Sequence, residues 1–403
     1  CEARREGRGN GGRGTGDGDA DRRAAEGRVT PAVAGRPRGA ERYPLAGTLG
    51  LAARHAAASL VPGAARERVI WVAGRIPAAL TRAAYLECRL HGGAGPVDLI
   101  FRVEKAGAEI LAGRNAAIGP GHLRSGGPAW DAVSALCAAW LDARQPAWGL
   151  VRHLWVELDL DAPAAPGAPP VPAPSVFVAF DDDRTAAMDA DEVLALVETV
   201  LAPLQREGMD RASRARVLGV LRRRPAGAAV PYAGIMLSRA RQAVRVYLSR
   251  VSGGAVPALL DDVGWPEDEA RDTARVLGEV DAGAAPELGM LHLDVLEGAL
   301  LPRLGLEYTL ERGAQVRGEI AERAFVDRLV ECGLCRPERR DGLLAWPGYE
   351  VRTLRHELWP SWLVRRVNCI KLVHEPGREP QAKAYLLAFH QPCSRGAWRE
   401  AAG

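Results

Sequence analysis

Ala84-Tyr-Leu-Glu-Cys-Arg-Leu90, His91-Gly-Gly-Ala-Gly-Pro96 and Val97-Asp-Leu-Ile-Phe-Arg-Val-Glu104 read in turn as a strand, a turn and a second strand. Apolar and polar residues alternate along both runs, the period of a strand buried on one face, and the Gly/Pro cluster between them is turn chemistry. Leu86 and Leu90, with Val97, Leu99, Phe101 and Val103, form an aliphatic face. Tyr85, Glu87 and Arg89, with Asp98, Arg102 and Glu104, form a polar one.

The same unit recurs four more times. The pairs are 152–160 with 175–180, 232–238 with 243–249, 289–295 with 302–310, and 367–374 with 381–389. Helical stretches lie between them, at about 130–144, 190–205, 211–224, 256–280 and 317–333, with Asp189 and Asp191 as cap candidates. Five hairpins with interleaved helices make ten antiparallel strands in an α+β fold. The aliphatic face continues through Leu154, Val156, Leu158, Val244, Val246, Leu248, Leu291 and Leu293. The polar face continues through His153, Trp155, Glu157, Asp159, Arg245, Tyr247, His292, Asp294, Arg303, Glu307, Lys371, Lys383 and Tyr385. An open sheet would put that polar face in water. Ten strands rarely stay open, however, and closure removes both edges. The expectation is a ten-stranded antiparallel β-barrel from five repeated αββα units, ringed by helices, with a polar lumen. Charges in such a lumen are costly unless paired, solvated or met by a charged ligand.

Leu86-Glu87-Cys88 followed by Phe101-Arg102-Val103-Glu104-Lys105-Ala106-Gly107 resembles the opening of the dimethylallyltryptophan synthase group of ABBA-type aromatic prenyltransferases. Arg245-Val-Tyr247 and Lys383-Ala-Tyr385 resemble that family's cation-x-Tyr pairs. The resemblance implies a transferase that moves a prenyl group from an allyl diphosphate to an aromatic or peptide acceptor. It implies Glu87 as the group that orients or deprotonates the acceptor. Arg102, Arg245, Lys371 and Lys383 would bind diphosphate, Tyr247 and Tyr385 would screen the allyl cation, and Trp155 would stack on the acceptor. Such cations neutralise a leaving diphosphate, and a Tyr two residues on along the same face shields a carbocation from water. With seven tyrosines in the chain, a full tyrosine shield is not expected. The second pair offers Trp155 and Phe177 in place of a Lys-x-Tyr, and the fourth offers His292-x-Asp294 and Arg303 without an aromatic. A non-catalytic barrel binding a peptide or small polar metabolite is the alternative. A metal-dependent oxygenase through His292, Asp294 and His374 is a further one, although face parity sets His374 among the aliphatic positions.

The rest of the chain narrows the classes. With 403 residues and a net charge of +3, it lacks the basic excess of a nucleic-acid binder. No apolar run is long enough for a membrane span, and Cys1-Glu-Ala-Arg-Arg5 is not followed by a secretory core. Seven sparse cysteines suit a reducing, cytoplasmic setting, and Cys332-Gly-Leu-Cys335 lacks the second pair of a zinc site. Residues 1–45 read as a disordered Gly/Arg-rich tail, 46–395 as the barrel domain and 396–403 as a C-terminal tail. Asp17-Gly-Asp-Ala-Asp21 lacks the closing Glu of a calcium loop. Asp181-Asp-Asp183 reads as a turn or cap, and the arginines of 211–224 as a solvated helix face. Nucleotide and nucleophile-elbow motifs do not occur, and no cofactor or metal is expected.

Overall fold

The computed structural model describes residues 45–392 apart from short stretches, the longest being 116–122, 161–170 and 353–359. The tails assigned to 1–45, save Leu45, and to 396–403 fall outside the described residues, as does Asp17–Asp21.

Among the described residues eleven strands are present: β1 Ala83–Arg89, β2 Val97–Val103, β3 Val151–Leu158, β4 Pro174–Phe180, β5 Tyr232–Met236, β6 Val244–Ser249, β7 Leu288–Leu296, β8 Ala299–Thr309, β9 Gly348–Arg352, β10 Ser361–His374 and β11 Gln381–Pro392. Ten of them pair antiparallel in the order β1-β2-β3-β4-β5-β6-β7-β8-β10-β11. The ring closes where β11 meets β1, with Glu87 opposite Tyr385 and Arg89 opposite Lys383. The expected ten-stranded antiparallel barrel is therefore closed. β9 stands outside the ring as an added strand on the first half of β10, from Ser361 to Arg365.

The aliphatic face points outward to the helices. Leu86, Leu99, Val156, Leu158, Leu291 and Leu386 are at most 1% exposed and belong to one continuous core with helix residues such as Val133, Leu136, Val197 and Leu329. Burial of each such side chain stabilises the layer by about 1.5–3 kcal/mol. On β3 the alternation is plain: Leu154, Val156 and Leu158 are buried while His153, Trp155 and Glu157 keep partial exposure to the lumen.

Helices Leu45–Ala52, Gly63–Ala73, Lys105–Leu111 and Pro337–Leu344 were not expected, and two of the expected stretches are divided differently. The stretch 256–280 is two helices, Val256–Asp262 and Glu267–Asp281, and 317–333 is helical only over Arg323–Glu331, with a separate short helix, Arg312–Val316, ahead of it. Gly264 and Gly318, with φ of 76° and 81°, break them in the left-handed region. Asp189 caps helix Ala190–Leu201 through a capping box with Glu192, which leaves Asp191 inside the first turn rather than at a cap. Asp181 caps helix Asp182–Ala187, as its reading as a turn or cap anticipates. Among the described residues no helix is long and apolar enough to cross a membrane.

Candidate active site

The strand registers bring the polar face into the lumen as a sequence of opposed pairs. Lys371 on β10 stands directly across from Lys383 on β11, a juxtaposition of like charges that is unfavourable unless each finds a partner. Each does. Glu307, opposite Lys371 on β8, lies 3.1 Å from its Nζ. The Lys383 ammonium donates to Glu87 Oε1, and the Tyr385 hydroxyl donates to Glu87 Oε2 at 2.5 Å. Across β1, β11, β10 and β8, Glu87, Lys383, Lys371 and Glu307 thus set two lysines between two carboxylates. Burial would raise the Glu87 carboxyl, but the charges of Lys383 and Lys371 and its two hydrogen bonds outweigh that and bring it down to about 2.

A second group lies on β6 to β8. Arg245 forks onto Asp294 with Nε and Nη2 at 2.6 and 2.8 Å, both side chains almost fully buried, and Arg303 Nη1 approaches the same carboxylate at 4.0 Å. His292 lies beside them, with Nδ1 3.8 Å from Asp294. Burial first, and then the charges of Arg245, Lys371 and Arg303, hold its imidazole neutral, well below its ordinary range. Gly305 stands opposite His292 across the β7–β8 ladder, where an added Cβ would run into the imidazole.

Aromatic rings join the two groups. Tyr85 meets Trp155 edge-on at 5.1 Å, Trp155 meets His153 at 5.2 Å, and His153 meets Tyr232 at 6.4 Å. Tyr232 in turn contacts Tyr247, which also packs on Phe177 and His292. The Lys371 ammonium lies 5.7 Å from the Tyr247 ring centroid and 6.0 Å from that of Tyr385, so two tyrosine faces meet one positive charge. Burial pushes the Tyr85 and Tyr232 phenols up to about 12 and raises those of Tyr247 and Tyr385 well above the ordinary phenol range. All four stay protonated at neutral pH.

The ring order and its inward-facing polar residues settle the architecture. The fold is a closed ten-stranded αββα barrel ringed by helices. No protein-family model matches the sequence, and no curated protein matches it. Among solved structures the αββα barrel is similar to prenyltransferase PriB, with a TM-score of 0.47 and 18% identity over 85% of this chain and 94% of that one. It is similar to 5-dimethylallyltryptophan synthase from Streptomyces coelicolor, with a TM-score of 0.47 and 18% identity over 86% and 97% of the two chains. For AnaPT from Neosartorya fischeri the values are 0.43 and 13%, over 76% and 78%.

Of the eight candidate residues, the αββα barrel brings Glu87, Lys371, Lys383, Tyr247 and Tyr385 into one continuous cluster. Arg245, two residues from Tyr247 on β6, is held on Asp294, and Trp155 sits on the aromatic wall. Arg102 stands apart near the barrel rim, 42% exposed and 2.7 Å from Glu104. His374 lies on the outer face of the sheet, 3.2 Å from Asp272 of helix Glu267–Asp281, so the iron triad with His292 and Asp294 does not assemble.

The lumen residues that were not among the candidates include Glu157, Glu307, Tyr85 and Tyr232. The first three share the polar parity of the chosen ones, a pattern that could have included them. Tyr232 shares its parity with Gly234 and Met236, which carry no charge to mark that face of β5 as polar. With Tyr85 and Tyr232 present the aromatic lining is fuller than the cation-x-Tyr pairs alone suggest.

Proposed function

We propose that this protein transfers a prenyl group from an allylic diphosphate to an aromatic acceptor inside the barrel. The observation that carries the reading is the Lys371 ammonium between the rings of Tyr247 and Tyr385, with its charge also felt by the Glu87 carboxylate. Two ring faces that accommodate one cation accommodate an allyl cation by the same quadrupole attraction, without offering it a strong nucleophile. In this reaction the allylic C–O bond breaks and its electron pair leaves on diphosphate. Lys371, Lys383, Arg245 and Arg102 supply the positive charge that stabilises the departing oxyanion. The aromatic carbon attacks the cation, Trp155 stacks on its ring, and the ring proton leaves to a lumen carboxylate. Glu87 orients the acceptor, because its two oxygens already accept from Lys383 and Tyr385 and its lowered pKa makes the carboxylate a weak base.

One observation favours a second reading, a non-catalytic barrel for a peptide or small polar metabolite. Each of the four proposed diphosphate cations already has a carboxylate partner. Diphosphate must compete with Glu307 and Glu87 for the lysines, whereas a zwitterionic or dipolar guest need not. Calorimetric titration with dimethylallyl thiolodiphosphate separates the two. Saturable binding that falls at least about tenfold in Lys371→Met and in Lys383→Met supports transfer. No binding to the wild-type protein at millimolar ligand moves the assignment to the binding barrel.

A further inference from the structure

The ionised groups of the lumen pair off and leave one carboxylate over. Glu87 holds Lys383, Glu307 holds Lys371, and Asp294 holds Arg245 with Arg303 nearby. Glu157 faces the same lumen from the middle of β3, half-buried, and among the described residues it has no ion-pair or hydrogen-bond partner. Its cross-strand neighbours are Ile100 on β2 and Ser175 on β4, neither of them a cation. The Ser175 hydroxyl is engaged with Ser238, which donates to Asp159.

What surrounds Glu157 defines the guest that would complete it. Trp155, two residues earlier on the same face, presents a ring braced edge-on by Tyr85. Phe177 stands opposite Trp155 across the β3–β4 ladder. Burial first, then the charges of Glu87 and Asp159, push the Glu157 carboxyl up to about 7, with Lys383 and Lys371 acting the other way. An uncompensated carboxylate among like charges gains most from a cation, and the rings beside it gain most from an aromatic body. An anionic guest at this position would meet Glu157, Glu87 and Asp159 together.

We propose that Glu157 receives the protonated amine of an aromatic amine acceptor whose ring packs against Trp155 and Tyr85. The proposal rests on reading the lumen as the acceptor chamber. It narrows the acceptor to one with an ammonium group a short spacer away from its ring.

Calorimetric titration of the full chain at mildly alkaline pH tests it, with tryptamine, indole-3-propionate and indole as probes beside dimethylallyl thiolodiphosphate. Wild-type protein should bind tryptamine at least about tenfold more tightly than indole-3-propionate, with indole between them. Glu157→Gln should erase that preference by weakening tryptamine alone, with thiolodiphosphate binding unchanged. Glu157→Asp, which keeps the charge, should retain the order of affinities. Glutamine matches the shape and removes an unpaired charge, so the variant keeps its fold, as circular dichroism would verify. Unchanged tryptamine affinity in Glu157→Gln overturns the proposal, as does a wild-type preference for the propionate or an absence of binding by all three indoles. Loss of thiolodiphosphate binding in the wild-type protein removes the transfer reading, and the tryptamine arm still decides whether Glu157 holds an ammonium.

Discussion

Glu87 and Glu157 are two lumen glutamates whose surroundings drive them in opposite directions. Glu87 is held at about 2 and Glu157 at about 7, against an ordinary value near 4.5. Between those extremes the folded protein binds more protons at Glu157 than the unfolded chain does. Stability from this group therefore falls as pH rises from about 4.5 through 7, and its full cost is felt above 7. Glu157→Gln should raise stability by about 1–3 kcal/mol at alkaline pH and lose that advantage below about pH 4.5, read by urea unfolding at the two pH values. Glu87 has the reverse sign: its contribution is complete above about 4.5 and is lost as pH falls towards 2. Glu87→Ala leaves the half-buried Lys383 without its carboxylate and should cost about 3–5 kcal/mol. Glu87→Gln keeps an acceptor for Lys383 and Tyr385 and should cost clearly less. Equal losses in the two variants, measured by denaturant unfolding, would show that the charge of Glu87 is the whole of its role.

At the scale of elements, the ladders are legible in the sequence because period-2 alternation reports directly which face is buried. All ten ring strands were expected within a few residues of their bounds, β10 excepted, which starts six residues earlier than its reading. The helices were less legible where Gly264 and Gly318 interrupt apolar periodicity that continues on both sides of them. β9 was not expected at all. Gly348–Arg352 has its Tyr349 and Val351 exposed, so it carries no buried face for alternation to reveal, and it exists through its ladder to β10. The candidate site was partly legible for the same reason. Parity names the residues that face the lumen, but which cation meets which carboxylate depends on register, and register is set by ring closure. Gly305 shows the point: within β8 it reads as a weak strand residue, yet its missing side chain makes room for His292 on β7. Gly305→Ala should destabilise the barrel by about 1–3 kcal/mol, because the imidazole must leave its place beside Asp294. Denaturant unfolding checks the loss, and an unchanged midpoint would mean that the ring moves freely.

At the scale of the whole molecule, the ring closes between elements nearly three hundred residues apart, with Glu87 of β1 set against Tyr385 of β11. During synthesis β11 is the last of the ring strands to leave the ribosome. Until it arrives, β1 and β10 each present an unsatisfied ladder edge, and either edge can capture the same edge of another nascent copy. Loop-closure entropy also falls due before the final contacts reward it, which makes docking of β11 a slow, late event. A barrel that is free of edges when finished is therefore most exposed to aggregation just before completion, and assistance from a chaperone counts most in that interval.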